Sequence, residues 1–188
     1  MNLSAAILTA ALSLPSPWRS PEPEDAYHAR LETIATAVAV EASEARWRHS
    51  PELLAAVVLA TWWSETRLSL EAHDGSRTGD NGRALCLGSV YPSGLVPRAT
   101  WRQLTGTSLE ATRRCARATI RVWLAQYRQC VDRPRAATTE ALARGFAGYG
   151  YGRCVAPPSW ARDRARRALR LAAQIRRPRP PPALPAQS

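Results

Sequence analysis

The sequence predicts a mainly α-helical domain, and three observations predict it. Hydrophobic residues make up 45% of the 188, with Ala, the strongest helix former, filling the stretches between turn signals. Apolar residues recur at three- and four-residue spacing in several of those stretches. Helix-start signals, a small hydroxyl residue followed by an acid or by Pro, stand ahead of them. A chain of this length buries a real core as one domain.

Leu3 to Leu14 is apolar and uncharged and ends at Pro15. It has the character of a signal-peptide h-region, although no basic n-region precedes it and no A-x-A site follows. It is too short to span a membrane. Residues 15–24 hold four Pro and read as a linker, so residues 1–24 are expected to precede the domain proper. A helix is predicted from Asp25 to about Arg48, with Leu31, Ile34, Val38 and Ala42 on one face. Ser50-Pro51-Glu52 is a start signal of three parts: a capping Ser, Pro at the first helical position and an acid in the first turn. The helix that follows carries Leu53, Leu54, Val57, Val58 and Trp62, is apolar on most faces and is the expected centre of the fold.

Residues 69–97 contain five Gly and two Pro. They break any long regular helix, leave room for short turns near Leu85 to Val90, and form a loop long enough to be functional. Beyond it, Thr100 to Gln103 resembles a capping box, and Thr107 to Glu110 a second one opening a helix to about Cys130. Ile120, Trp123, Leu124 and Tyr127 give that helix its apolar face. Thr138 or Thr139 starts a helix through Phe146. Ser159 caps the last, Trp160 to about Ile175, with Leu169 and Leu171 inward and its many Arg outward. The domain is expected to close at residue 177, and the Pro-rich tail 178–188 to lack regular structure.

All 26 basic residues are Arg, and the net charge is +11. Such a surface attracts polyanions: nucleic acid, anionic lipid or the acidic polymers of a bacterial wall. Cys86, Cys115, Cys130 and Cys154 form no C-x-x-C pair, which argues against zinc, and no metal or cofactor is expected. Two disulfides are expected, against a plainer reading as four small buried thiols; of the three possible connectivities, Cys86–Cys115 with Cys130–Cys154 is favoured because each bond would tie a helix end to a neighbouring loop. That pairing favours an oxidising compartment.

The stretch Trp62-Trp63-Ser64-Glu65-Thr66-Arg67-Leu68 closes the apolar helix. A carboxyl leaving the core beside indole rings is expected to be desolvated, which raises its pKa and suits a general acid. Two further segments follow. The first is Gly82-Arg83-Ala84-Leu85-Cys86-Leu87-Gly88-Ser89-Val90-Tyr91-Pro92, and the second is Phe146-Ala147-Gly148-Tyr149-Gly150-Tyr151-Gly152. In this order the three resemble the lysozyme-like fold of soluble lytic transglycosylases and goose-type lysozymes, over roughly residues 50–155. That family has a Glu-Ser motif at the end of a buried helix, then a Gly-Leu-Met-Gln-like and an Ala-Tyr-Asn-x-Gly-like segment.

The resemblance implies a lysozyme-like helical domain with a long Gly-rich active-site loop that cleaves peptidoglycan glycan strands. Glu65 would be the single catalytic acid/base, Leu87, Ser89 and Val90 the floor of the sugar cleft, and Tyr149 a cleft residue close to the carboxyl. Tyr91 and Tyr151, with Trp62 or Trp63, could stack on sugar rings. Thr66 replaces the family's Ser, Ser89 stands where Gln is expected, and Gly150 replaces Asn. A hydrolase would favour a second carboxylate, for which Glu71, Asp74 and Asp80 are candidates; the plainer reading makes them solvated or turn-forming acids.

No G-x-S-x-G elbow is present, and no local signature pairs a Cys with His28, His49 or His73. His73-Asp74 with Asp80 fits no Ca²⁺ loop. The serious rival is a non-enzymatic protein binding nucleic acid through Arg162, Arg164, Arg166, Arg167, Arg170, Arg176, Arg177 and Arg179; without a recognition-helix pattern, nucleic acid is the weaker expectation. A third reading is a lysozyme-like domain that binds wall glycan without cleaving it.

Overall fold

The computed structural model describes residues 2–15, 22–131 and 137–177. Among them the chain is mainly helical: α1 Leu3–Leu12, α2 Glu24–Glu44, α3 Pro51–Thr66, α4 Leu70–Asp74, α5 Arg98–Trp101, α6 Leu109–Cys130, α7 Thr139–Tyr151 and α8 Ser159–Arg176. β-structure is limited to two isolated antiparallel bridges, Gly79 with Ala84 and Leu85 with Val90. No described helix is long and apolar enough to cross a membrane.

Helix α3 is the axis. Ser50 caps it by accepting from the Leu53 N–H, Pro51 opens it, and every residue from Leu53 to Trp62 is buried. A helix apolar all round must be enclosed on all sides. Helix α8 covers one side, with α2, α1 and α6 on the others. α6 in turn packs on α2 and α7, and α7 on α8. Trp47, Trp123, Tyr127 and Phe146 form an aromatic cluster where α6 meets α7, with Trp123 and Tyr127 stacked at 4.8 Å.

The N-terminal segment departs from expectation. Ala6, Ile7, Ala10 and Ala11 of α1 belong to the same core as α2, α3 and α8, and the Ser4 and Thr36 hydroxyls bond at 3.1 Å. The core therefore begins at residue 3 rather than 25: α2 and α8 need an apolar cover, and this segment supplies it. Most of the Pro-rich stretch (16–21) and the tail from 178 lie outside the described residues.

Helix ends differ in detail. α2 stops at Glu44, short of Arg48. Ser108 and Thr138 are the caps of α6 and α7, whereas Thr100 lies inside α5, which starts after Pro97. Pro158, not Ser159, precedes α8. The largest difference is in α7, which runs on through Gly148-Tyr149-Gly150 to Tyr151. Its glycines are contact surfaces, not breaks: a Cβ on Gly150 would lie 2.8 Å from the Trp160 ring of α8. A larger residue at position 150 would meet the Trp160 ring.

Both expected disulfides are present. Cys86–Cys115 ties the turn after α4 to α6, and Cys130–Cys154 ties the end of α6 to the segment after α7. Closing loops of 29 and 24 residues is worth roughly 3–4 kcal/mol each in the chain-entropy picture. Two such bonds fit an oxidising environment.

Candidate active site

Between α3 and α5 the chain is short of regular structure but closely held. Six non-glycine residues have positive φ among those described, and all fall between 67 and 89: Arg67, Leu68, Asp80, Asn81, Cys86 and Ser89. Such conformations cost about 1 kcal/mol or more each and persist only where surroundings enforce them. Here Arg30 Nη1 donates to the Leu68 carbonyl at 2.9 Å, the Cys86–Cys115 bond fixes the turn, and Trp101 Nε1 donates to the Val90 carbonyl at 2.7 Å.

This pinning brings the three sequence segments together around Gly88. Trp62 Nε1 donates to Thr119 Oγ1 at 3.0 Å, Thr66 Oγ1 donates to the Leu87 carbonyl at 3.2 Å, and the Tyr149 hydroxyl donates to the Gly88 carbonyl at 2.6 Å. A Cβ on Gly88 would lie 2.3 Å from Thr119 Oγ1 and 3.3 Å from the Tyr149 hydroxyl. Only glycine allows α3, α6 and α7 to close on this turn. Burial, and next the negative charge of Glu65, push the Tyr149 phenol well above its ordinary pKa of 10, against opposing effects of Arg164 and Thr119. Tyr149 is thus a fixed, neutral donor.

Glu65 sits in the last turn of α3, at the negative end of the helix dipole, where a carboxylate is unfavourable. Its surroundings are not the dry, indole-lined pocket expected. Arg164 Nη1 of α8 donates to Oε1 at 2.7 Å, and 25% of the Glu65 side chain is exposed. Arg164 is itself buried, against the Trp160 and Phe146 rings, contrary to the expectation that α8 turns its Arg outward. A signal for this was present: Ala161, Arg164, Ala165 and Ala168 share one helical face, so a charge sat within the apolar stripe.

Beside Tyr149 opens a cavity of about 580 Å³, lined by Ser89 to Tyr91, Ser93 to Leu95, Val122, Gln126 and Tyr149 to Gly152. Tyr91 and Tyr151 are 45% and 52% exposed. Five of the six expected cleft residues, Ser89, Val90, Tyr91, Tyr149 and Tyr151, therefore share one cavity. Leu87 does not: it is fully buried in the core, and only its carbonyl takes part, through Thr66. Glu65 does not line the cavity either. Tyr149 is the link, its ring on the cavity wall and its hydroxyl in the field of Glu65.

The remaining candidates are placed elsewhere. Trp62 is wholly core and Trp63 half-buried at the surface. Asp74 Oδ1 accepts from the Ser76 N–H at 2.8 Å, as a turn-forming Asx residue does, and Asp80 is exposed. His73 is buried, with Nε2 2.7 Å from Thr112 Oγ1. The described residues gather no group of three metal-ligating side chains. A scan against protein-family models, a search of curated proteins and a search of solved structures each give no match for this chain.

Proposed function

We propose that this is a lysozyme-like enzyme that cleaves peptidoglycan glycan strands, with Glu65 as general acid and base. The observation that carries the reading is the convergence at Gly88. Thr66, next to Glu65 at the end of a buried helix, and the Tyr149 hydroxyl both bond to a turn held by a disulfide; Tyr149 lies in the field of Glu65 and lines a cavity rimmed by exposed Tyr91 and Tyr151. Aromatic faces of that kind stack on sugar rings.

Glu65 protonates the glycosidic oxygen between N-acetylmuramic acid and N-acetylglucosamine. The substrate's own acetamido group stabilises the oxocarbenium-like centre, so no second protein carboxylate is needed. Arg164 is placed to stabilise the carboxylate left by proton transfer. Glu65 then takes a proton either from the sugar's C6 hydroxyl, giving a 1,6-anhydro product, or from water, giving hydrolysis. The Arg-rich surface would draw the protein to anionic wall polymers, an effect that fades with salt. The disulfides suit a site of action outside the cytoplasm, in the wall or periplasm, including release with a phage.

The Glu65–Arg164 ion pair favours a second reading, a domain that binds glycan without cleaving it. Incubation of wild type and Glu65→Gln with peptidoglycan, with fragments read by mass spectrometry, separates the two. Anhydro-muropeptides or reducing-end products are expected from wild type, and a rate about 10²–10⁴-fold lower from the variant. Folded wild type that binds glycan but releases nothing sinks the enzymatic reading.

A further inference from the structure

The surface next to Glu65 carries a second feature. Arg67 and Arg167 both place their guanidinium carbon 3.8 Å from the centroid of the Trp63 ring. Both guanidiniums therefore stack on the one indole. Trp63 is fixed by Nε1 donating to the Pro15 carbonyl at 3.2 Å, and Arg167 by Nη1 donating to Ser64 Oγ at 3.2 Å. Arg170 stands near enough to act on Arg167 electrostatically, as do Arg67 and Arg164.

Anions to match this charge are few. Glu65 is taken by Arg164, and Asp163, the acid acting on Arg167, is bridged to Arg166. None of Arg67, Arg167 and Arg170 appears in any ion pair of the described residues. Burial and the neighbouring like charges lower the Arg167 pKa from its ordinary value. Arg67 holds its place through a left-handed backbone, with φ 58°. Strain, crowding of like charge and partial desolvation all oppose this arrangement, and an added oxyanion would relieve the last two.

We infer that Arg67 and Arg167, stacked on Trp63, form with the neighbouring Arg170 an anion site that takes a carboxylate of the peptide stem on the glycan strand. The assignment rests on the proposed glycan substrate. Arg67 and Ser64 flank Glu65 in the same helix end, so an anion held here lies close to a bond presented to Glu65. An uncross-linked peptide stem ends in a free carboxylate, carried by the same muramic acid whose glycosidic bond Glu65 would cleave. Guanidinium forks match carboxylates geometrically.

The test is binding, measured apart from cleavage. The Glu65→Gln protein is titrated calorimetrically with a soluble disaccharide–pentapeptide fragment, with the same fragment bearing esterified carboxylates, and with a neutral N-acetylglucosamine oligomer. Esterification, Arg67→Gln and Arg170→Gln are each expected to weaken binding by about tenfold or more, the loss of one charge-assisted contact. Binding of the neutral oligomer is expected to stay unchanged. Both substituted Arg are exposed, and thermal melts check folding; Arg167→Gln is the third variant. Equal affinity for free and esterified fragments, or no binding of either, overturns the assignment. So does tighter binding of a short DNA duplex that is lost in the same variants. Carboxylate-dependent binding alongside inactive wild type keeps this site and sinks catalysis; active wild type with indifferent Arg variants sinks this site alone.

Discussion

Two carboxylates in this protein are each gripped by Arg across a helix seam, and they are gripped differently. At the α2–α6 seam, Glu41 is 3% exposed, and both its oxygens are used: Arg113 Nε and Arg117 Nη2 donate to Oε1 and Arg117 Nε to Oε2, all at 2.8 Å. At the α3–α8 seam, Glu65 takes one hydrogen bond, on Oε1, and keeps a quarter of its side chain in contact with solvent. A saturated, enclosed carboxylate is a staple. One with a free oxygen and a solvent path can do chemistry. The difference teaches that an Arg partner alone does not sort structural acids from functional ones; the count of unused lone pairs and the access to them does.

The comparison breaks most visibly under substitution of the Arg partners. Arg113→Ala with Arg117→Ala strands the buried Glu41 charge and is expected to cost about 3–5 kcal/mol in urea unfolding. A loss under about 1 kcal/mol would remove Glu41 from the role of staple. Next in size is a pH effect at the seam between α4 and α6. Burial, then Arg30, lowers His73 to about 4 from 6.5, while Asp74 and Glu22 pull the other way. Between those values the unfolded chain binds a proton that the folded chain refuses. Stability is therefore fully present above pH 6.5 and falls as pH drops towards 4, by roughly 3 kcal/mol in all. His73→Gln should flatten that part of the stability–pH curve, and an unchanged curve would rule His73 out as its source.

Gly88→Ala comes third. The added methyl collides with Thr119 and Tyr149, at an expected cost of about 1–3 kcal/mol, and it moves the turn that links Glu65 to the cavity. Activity should fall further than stability accounts for, which a comparison of turnover and melting temperature will show. The smallest effect is on the stability of Glu65→Gln. The substitution leaves the buried Arg164 guanidinium without its anion, but a Gln oxygen can still accept from it and the Glu65 side is partly exposed, so the expected loss is about 1–2 kcal/mol. A larger loss would make Glu65 a second staple and weaken its catalytic assignment.

Much of the fold was legible because local signals agreed with the tertiary answer. Ser50-Pro51-Glu52 opens α3, Thr138, one of the two expected starts, caps α7, and the box expected from Thr107 lies one residue ahead of the α6 cap, Ser108, since a cap is a matter of a few residues around one turn. Of the three possible cysteine pairings, the structure has the one favoured for tying helix ends to neighbouring loops. The extension of α7 was hidden because Gly148, Gly150 and Gly152 look like breaks, and only Gly152, at φ 67°, ends the helix. The place of α1 was hidden because an apolar segment serves equally as an export signal or as a core helix, and only the uncovered faces of α2 and α8 decide.

The site divides in the same way. Glu65 at the end of an apolar helix, the turn near Ser89 and the helix bearing Tyr149 could be picked out from residue type and order. Their meeting at Gly88, the burial of Leu87 and the separation of Glu65 from the cavity lining could not. The sequence by itself determined most of the long helices and the start signals of α3 and α7, because these depend on side chains close together in the chain. Tertiary structure alone decided that Arg164 reaches Glu65, that Arg167 joins Arg67 on the Trp63 ring, and that six residues between 67 and 89 adopt a left-handed backbone. Those contacts join residues about a hundred positions apart or depend on packing that overrides local preference, and no local pattern encodes either.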